Sequence, residues 1–369
     1  MKRQNPAGEL LMLRLVAPRW GTSLEQQLQT FAPGGIVLAG PLPHSPETLY
    51  ELLGCISRCL PAPPILALEA ECGGADPLSP LLPPLPSWQA LAQKGARFTR
   101  QAGELIGEAL KLLGFNTYFA LTLDLASGSA CVAPGFSPAR AALKDGATFN
   151  PAQHPSTFSA DPRVVAECGA SFVEGLARHK ILACAKHFPG LASVPAVAHG
   201  ELSISGRPMA ELWRSDLVPY RELLPRLPLV LMSAAAYKAY DFDYPQSAAL
   251  SAQVVAGLLR AKLGYRGVVV APQLESQPVQ GILDMGRAAV QSLNAGCDML
   301  LVEKDESWQA MRRGIEEALA SGEFPRERLE QSLAPIRSAK KGCAPPKGSF
   351  SKKAWERLVR RFEEFSAGI

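Results

Sequence analysis

The chain has 369 residues, of which 47% are hydrophobic and 20% are charged, and its 38 basic side chains against 34 acidic ones give a net charge of +4. This composition excludes a disordered protein, a collagen-like fibre and a coiled coil. Nucleic-acid-binding proteins concentrate basic residues on one face, whereas the basic clusters here lie near the C-terminus and are typical of solvated helix faces. We therefore expect no nucleic-acid partner.

The start of the chain lacks the pattern of a signal peptide, because its short apolar run is interrupted by Arg14 and no small-residue cleavage site adjoins it. No stretch approaches the roughly 20 uninterrupted apolar residues of a membrane-spanning helix. The eight cysteines include no CxxC pair, and the five histidines include no HxH or HxxxH spacing. These features predict a cytoplasmic protein with free thiols, without a metal ion or other cofactor and without a membrane partner.

Short apolar runs of strand length alternate with longer stretches of helical periodicity along the chain. The predicted strands are residues 11–16, 35–39, 65–70, 117–123, 181–187, 229–234, 267–271 and 299–302. These runs are nearly continuous in Val, Ile, Leu and Ala. Such continuity is typical of parallel strands that are covered on both faces.

The helices between these strands have recognisable ends. Ser45 and Asp161 each precede a proline at the first helical position, before predicted helices at 48–60 and 163–179. Ser251 begins another helix that ends before Gly264. Eight strands, each followed by helical sequence, predict the α/β fold class as a closed (β/α)₈ TIM barrel. We expect one barrel domain over residues 8–342 and a C-terminal helical extension over residues 343–369.

Three parts of the chain depart from the repeating unit. Residues 78–86 are too rich in proline for a helix or an inner strand, so we expect an extended surface connection. Residues 127–160 form a long loop after the fourth strand, which predicts a cover over the barrel mouth. Polar helices at 307–321, 325–339 and 351–366 are expected to pack outside the barrel.

Functional groups in such a barrel lie at the carboxyl ends of the strands. The candidates at these ends are Gly40, Pro41, Glu69, Glu71, Asp124, Lys186, His187, Ser233, Pro272, Gln273 and Glu303. The segment 186–190, KHFPG, is the most informative, because an apolar strand ends there in a lysine and an imidazole that can both bind ligand hydroxyls. A salt-bridged lysine and a structural histidine would give the same pattern.

The KHFPG segment resembles the signature of the glycoside hydrolase family 3 barrel, in particular its single-domain bacterial β-N-acetylhexosaminidases. Further matching segments are GGIVL at 34–38, EAECGG at 69–74, LTLD at 121–124, FSADP at 158–162, LGYRGV at 263–268, and AVQ at 289–291 with AGCDM at 295–299. The resemblance runs from about residue 8 to residue 340. It implies a (β/α)₈ barrel and an amino sugar or peptidoglycan-derived saccharide as ligand.

The chemistry that this resemblance implies is retaining hydrolysis of a terminal β-linked N-acetylglucosamine. In the family, an Asp at the end of the seventh strand is the nucleophile that forms a covalent glycosyl-enzyme. A His on the loop after the fifth strand is the acid/base, and an Asp two residues before it orients the imidazole. The signature Lys and His, an Asp at the third strand and arginines hold the sugar.

This chain departs from the family at several of those positions. Pro272, followed by Gln273, stands where the nucleophile is expected, and a proline has no nucleophilic group. His199 falls at the acid/base position, but Val197 replaces its orienting Asp, so nothing fixes the tautomer or raises the basicity of the imidazole. Among the sugar-holding positions, Lys186 and His187 are unchanged and Glu69 replaces an Asp. The two arginine positions hold Ala75 or Asp76 and Ser156 or Thr157.

Two hypotheses of different classes follow. In the first, the barrel has lost glycosidase chemistry and persists as a carbohydrate- or partner-binding protein. In the second, it is an active β-N-acetylhexosaminidase-type glycosidase in cell-wall amino-sugar recycling, with His199 as proton donor and a relocated carboxylate as nucleophile. Glu275 is the first candidate for that carboxylate, and the alternatives are Asp284, Glu71 and Asp124. A third hypothesis is a lyase or isomerase in which Lys186 forms a Schiff base with the substrate.

Overall fold

A computed structural model describes residues 6–70, 77–126, 157–195, 201–275, 279, 283–343 and 348–368. Eight parallel strands form a closed barrel in the order β1-β10-β9-β7-β5-β4-β3-β2. Their bounds are β1 Leu11–Val16, β2 Gly35–Ala39, β3 Ile65–Leu68, β4 Thr117–Thr122, β5 Leu182–Phe188, β7 Leu229–Met232, β9 Val268–Ala271 and β10 Met299–Val302. Two short strands, β6 Ile204–Ser205 and β8 Ala236–Tyr237, form a separate parallel pair. The predicted (β/α)₈ barrel is confirmed.

Helices surround the barrel and connect its strands. They are Pro6–Glu9, Thr22–Phe31, Pro46–Cys59, Trp88–Lys94, Ala96–Leu113, Pro162–Arg178, Met209–Arg214, Leu217–Leu223, Gln253–Lys262, Met285–Ala295, Asp305–Ser321, Arg326–Lys340 and Lys352–Ala367, with a short 3₁₀ turn at Leu224–Arg226. The helix Gln253–Lys262 has the wider π form. Within the described ranges, none of the helices combines the length and the apolar character that crossing a membrane requires.

The predicted helix starts are confirmed by their capping bonds. The Ser45 hydroxyl accepts a hydrogen bond from the Thr48 amide, and the Asp161 carboxylate accepts one from the Arg163 amide. Each bond satisfies a donor that the first helical turn leaves without a partner. Gly264 adopts a φ of +69° after the helix Gln253–Lys262, in the left-handed region that glycine tolerates.

The expectation of an extended connection at residues 78–86 is wrong over its first half. A turn begins at Leu78, whose carbonyl accepts hydrogen bonds from the Leu81 and Leu82 amides at 2.8 and 2.9 Å. All three leucines are buried. Their apolar side chains gain more by packing on the barrel than an extended surface course would allow, and the turns satisfy the backbone polar groups. Of the predicted mouth loop, residues 127–156 lie outside the described residues.

The C-terminal helices pack outside the barrel, as predicted. The last helix, Lys352–Ala367, lies against Ala96–Leu113, where the rings of Phe98 and Phe365 stack with centroids 4.2 Å apart. Arg361 and Glu108 form an ion pair across the same contact. The division of the chain at residues 342 and 343 stays a prediction.

Two glycines allow the helices Ala96–Leu113 and Pro162–Arg178 to lie unusually close together. A Cβ atom added at Gly103 would lie 2.4 Å from the Phe172 carbonyl oxygen, and one added at Gly175 would lie 2.4 Å from the Arg100 carbonyl oxygen. Real Cβ atoms do not approach backbone this closely. This pair of helices therefore packs backbone against backbone beside β4, which leads into Asp124, and β5, which carries Lys186.

Candidate functional site

The carboxyl ends of β4 and β5 form one side of the barrel mouth. Asp124, just beyond β4, accepts from the His187 ring nitrogen Nδ1 at 2.8 Å with one carboxylate oxygen. Its other oxygen accepts from the backbone amides of His187 and Leu191 at 3.3 and 3.0 Å. Asp124 is only 3% exposed. Asp124 therefore holds the segment around His187, and its candidacy as a substrate-binding residue stays a prediction.

Lys186 and His187 differ in their exposure at this rim. Lys186 is 3% exposed, whereas 22% of the His187 side chain is accessible. Because Nδ1 faces a carboxylate, we assign the proton of a neutral imidazole to Nδ1, which makes Nε2 a hydrogen-bond acceptor. The peptide bonds Lys186–His187 and Phe188–Pro189 are both cis.

The turn after β5 is fixed from below by buried polar groups. Gly190 has a φ of +129°, and a Cβ atom added to it would lie 2.7 Å from Cβ of Asp216. The Gly190 carbonyl accepts a 2.6 Å hydrogen bond from the Tyr237 hydroxyl. Asp216 is itself bound by Arg207 Nη1 at 2.8 Å and by Ser215 Oγ at 2.6 Å. Sequence reasoning missed these supports, and their signal was an aspartate directly before the apolar start of the helix Leu217–Leu223.

The opposite side of the mouth is organised by Arg14 of β1. Its Nε lies 2.6 Å from a carboxylate oxygen of Glu69 after β3, and its Nη1 lies 2.7 Å from Glu303 after β10. The Arg14 side chain is 16% exposed. Arg14 was not a candidate from the sequence. The signal that could have found it is a charged residue inside an otherwise apolar strand, LMLRLV.

β9 ends at the same rim and leads into Pro272 and Gln273. The Gln273 amide nitrogen donates to Glu303 at 2.7 Å, so this residue joins the group around Arg14. The Glu275 carboxylate accepts from the backbone amides of Glu303 and Lys304 at 3.0 and 2.7 Å. These amides precede the helix Asp305–Ser321, where a negative charge is favourable. Glu275 thus stabilises a helix start.

The second relocated-carboxylate candidate, Asp284, also caps a helix. Its side chain accepts from the Arg287 amide at 2.9 Å at the start of Met285–Ala295. Ser233, another residue predicted at a strand end, is buried and accepts from the Ala235 amide at 3.0 Å. The side chains of Asp284 and Ser233 therefore both bind backbone amides close to them in the sequence.

The site as described combines a lysine, a histidine on a buried aspartate, and an ion-pair cluster around an arginine. Among the described residues, no group of three or more His, Cys, Asp or Glu side chains is arranged to hold a metal ion. Residues 145–339, more than half of the chain, match the model of the glycosyl hydrolase family 3 N-terminal domain. The chain belongs to this family.

Relatives of this family 3 chain agree with that assignment. A beta-hexosaminidase of Bordetella pertussis is 28% identical over 330 residues, covering 85% of this chain and 87% of that protein. A beta-hexosaminidase of Nitrosomonas eutropha is 28% identical over 297 residues, covering 77% and 79%. Both relatives span most of the barrel described above.

Two solved structures have the same fold as this chain. A glycoside hydrolase family 3 beta-N-acetylglucosaminidase from Paenibacillus superposes with a TM-score of 0.82 at 25% identity, over 98% of this chain and 68% of that one. A beta-N-acetylhexosaminidase from Beutenbergia cavernae superposes with a TM-score of 0.77 at 22% identity, over 91% and 97%.

Several predicted positions of the family 3 chain lie outside the described residues. These are His199, Val197, Glu71, Ala75, Asp76 and Ser156. Thr157, the alternative to Ser156, is described and is 2% exposed. The structure therefore brings together Glu69, Asp124, Lys186, His187, Pro272 and Glu303 at one rim, and the role of His199 stays a prediction.

Proposed function

We propose that this family 3 barrel binds an amino-sugar saccharide at its mouth and has lost the ability to hydrolyse it. The residues that support ligand binding are Lys186 and His187, which retain the family signature. The carboxylate of Asp124 holds the His187 ring in one orientation, and a fixed imidazole can discriminate between ligand hydroxyl positions. The relatives' names, beta-hexosaminidase and beta-N-acetylglucosaminidase, supply the ligand class.

The observation that carries the loss of hydrolysis is Pro272 directly after β9. A retaining glycosidase needs a carboxylate oxygen about 3–3.5 Å from the anomeric carbon, in line with the leaving group. Proline has no such atom, and the neighbouring Gln273 amide is neutral. Two carboxylates of the described residues near Pro272 have other partners, since Glu303 binds Arg14 and Gln273, and Glu275 binds the backbone before a helix.

The second hypothesis, an active glycosidase with a relocated nucleophile, is tested by turnover of a chromogenic N-acetyl-β-glucosaminide. We expect the native chain to release no chromophore above the buffer rate. The double variant Pro272→Asp with Val197→Asp restores the nucleophile and the orienting carboxylate, and we expect it to gain turnover. The matched control, Pro272→Ala with Val197→Asp, lacks the nucleophile and should remain inactive.

The opposite outcome would overturn the loss of hydrolysis. Turnover by the native chain that is abolished in Glu275→Gln would identify Glu275 as a working nucleophile. Ligand binding is tested separately by calorimetric titration of the native chain with N-acetylglucosamine, with Lys186→Met as the variant that should weaken binding. Absence of binding by the native chain to N-acetylglucosamine and to its oligomers would contradict the proposed ligand.

A further inference from the structure

The most exposed large apolar side chains of the described residues are concentrated around the barrel mouth. They are Val16, Trp20, Met209, Phe242 and Tyr244. Each lies at the carboxyl end of a barrel strand or in the segment that follows one, after β1, β5 or β7. Since the carboxyl ends of parallel strands share one rim, these side chains belong to the segments on the same face of the barrel as Lys186. Single exposed apolar side chains are normal on a protein surface, so a binding surface requires exposed rings that are grouped close to the candidate site.

The two most exposed of these side chains occupy one protruding segment, residues 236–247, which we call the rim hairpin. Ala236 and Ser247 form an antiparallel bridge at its base, and the Ala248 amide donates to the Ala235 carbonyl at 2.8 Å. Beyond this base, Phe242 is 76% exposed and Tyr244 is 87% exposed. Aromatic rings contribute much of the contact energy in interfaces, and the faces of these two rings are available for such contacts.

The rim hairpin is attached directly to the candidate site. Its Ala236 and Lys238 amides donate to the carbonyls of Ser203 and Ser205 in the segment after β5, at 2.9 and 3.1 Å. The Tyr237 hydroxyl donates to the Gly190 carbonyl at the end of the KHFPG segment. Phe242 and Tyr244 therefore lie a few residues after Tyr237, whose hydroxyl is bonded to the turn that follows Lys186 and His187.

The sequence of the hairpin tip indicates what kind of ligand it takes. The residues at 241–244 alternate as Asp, Phe, Asp and Tyr, and Asp243 is exposed. The centre of a protein–protein interface is depleted of charged residues, so this alternation is unfavourable for a protein partner. A saccharide presents C–H bonds that pack on aromatic faces and hydroxyls that donate to carboxylates. The alternating pattern matches both features.

We propose that Phe242 and Tyr244 of the rim hairpin bind the second and further units of a β-linked amino-sugar oligosaccharide whose terminal unit lies at Lys186 and His187. This inference rests on the proposed function, because it assumes a sugar at the mouth. It adds that the ligand is an oligomer and that most of the preference for longer chains comes from the two exposed rings.

The test compares N-acetylglucosamine with its β-1,4-linked tetramer by calorimetric titration of the full chain. We expect the native chain to bind the tetramer about tenfold more tightly than the monomer, which corresponds to about 1.4 kcal/mol. In Phe242→Ala with Tyr244→Ala the affinity for the tetramer should fall about tenfold while the affinity for the monomer is unchanged. The matched control, Phe242→Tyr with Tyr244→Phe, keeps both rings and should bind like the native chain.

The outcomes separate this inference from the proposed function. If the native chain binds monomer and tetramer equally, or if the double alanine variant binds the tetramer like the native chain, the role of the hairpin is wrong and the proposed ligand class stands. If the native chain binds neither sugar, the proposed function fails and the inference fails with it. Sedimentation could also show that the native chain is a dimer and that the double alanine variant is a monomer. That result would mean that the two rings contact a second copy of the chain, and it would overturn the proposed saccharide contact.

Discussion

Arg14 and Glu69 are joined by a 2.6 Å contact between Nε and a carboxylate oxygen on one side of the barrel mouth. The same guanidinium reaches Glu303 through Nη1 at 2.7 Å. Burial alone would lower the pKa of Arg14, but the carboxylates of Glu69 and Glu303 raise that pKa above its usual value. The raised pKa favours the charged guanidinium, which neutralises part of the rim that Glu69 and Glu303 line.

Replacing Arg14 should destabilise the barrel, because two partly buried carboxylates would lose their shared cation. We expect Arg14→Met to lower the free energy of unfolding by about 2 kcal/mol, measured by urea denaturation. The value stays moderate because 40% of the Glu303 side chain is exposed to solvent. In a double-mutant cycle, adding Glu69→Gln should recover part of the lost unfolding free energy, since it removes one of the two carboxylate charges that Arg14→Met leaves without a cation.

The control for Arg14 is Arg337, whose 3.0 Å pair with Glu330 has both side chains more than half exposed. We expect Arg337→Met to change the free energy of unfolding by no more than about 0.5 kcal/mol. An Arg14→Met variant that is as stable as Arg337→Met would show that the ion pairs of Arg14 with Glu69 and Glu303 stabilise the barrel no more than a surface ion pair does.

Asp124→Asn should change the tautomer of the neutral His187 imidazole while leaving the barrel closed. The asparagine amide would present an N–H group where Asp124 now accepts from Nδ1, so a neutral imidazole has to carry its proton on Nε2. Nitrogen NMR of the imidazole should show Nδ1 protonated in the native chain and Nε2 protonated in the variant. We expect a loss of about 2 kcal/mol in unfolding free energy, because a buried bond to a charged acceptor is lost.

The surface change Glu330→Gln serves as the control for Asp124→Asn and should alter neither the NMR signals of His187 nor the stability. Sugar affinity should fall with the Asp124 variant, because the Nε2 acceptor at the mouth becomes a donor. Identical imidazole spectra for the native chain and for Asp124→Asn would contradict the assigned role of Asp124.

Much of the barrel is predictable from the sequence because its signals are local. The eight strands were expected within about two residues at each end, since continuous apolar runs and capping residues act on their immediate neighbours. The position of Glu69, Asp124, Lys186, His187 and Pro272 at one rim follows from the topology alone, since parallel strands end on the same face. No detailed contact is needed for that conclusion.

The pairings at the rim could not be predicted, because they join residues that only barrel closure brings together. Arg14 and Glu303 are 289 positions apart, and neither has a sequence pattern that names its partner. Glu275 likewise appeared free to reach the mouth, whereas the backbone just before the helix Asp305–Ser321, 28 residues later, takes its carboxylate. The same limit applies to Asp216, which lies beneath Gly190 only in three dimensions.

Gly190 should tolerate no side chain. Its φ of +129° is strained for any residue with a Cβ atom, and that atom would meet the buried side chain of Asp216. We expect Gly190→Ala to lower the free energy of unfolding by about 2 kcal/mol or more. Gly206 is the matched control in the same segment after β5, because an added Cβ atom would have no neighbour within 4 Å.

Gly206→Ala should stay within about 0.5 kcal/mol of the native chain. Both variants are compared by urea denaturation and by titration with N-acetylglucosamine. We expect the Gly190 variant to bind the sugar more weakly, since the turn beside His187 would shift. Equal stability of the two variants would show that the turn after β5 adapts without cost.

Thiol reactivity tests the core of the barrel and its dependence on pH. Burial raises the pKa of the Cys297 thiol to about 12 and that of the Cys343 thiol to about 11, whereas Cys55 is partly exposed. Iodoacetamide reacts with the thiolate, so at pH 8 the native chain should be labelled at Cys55 and spared at Cys297. Peptide mass mapping identifies each site, and the urea-unfolded chain is the control in which both react.

The direction of the pH dependence follows from the raised pKa of Cys297. Above about pH 8.5 the unfolded thiol ionises while the folded one keeps its proton until about pH 12, so the unfolded chain binds fewer protons in that range. This group therefore contributes its full stability below about pH 8.5 and loses that contribution as the pH rises toward 12. Replacing Cys297 with alanine should flatten the alkaline decline in unfolding free energy. Rapid labelling of native Cys297 at pH 8 would contradict its burial between β10 and the surrounding helices.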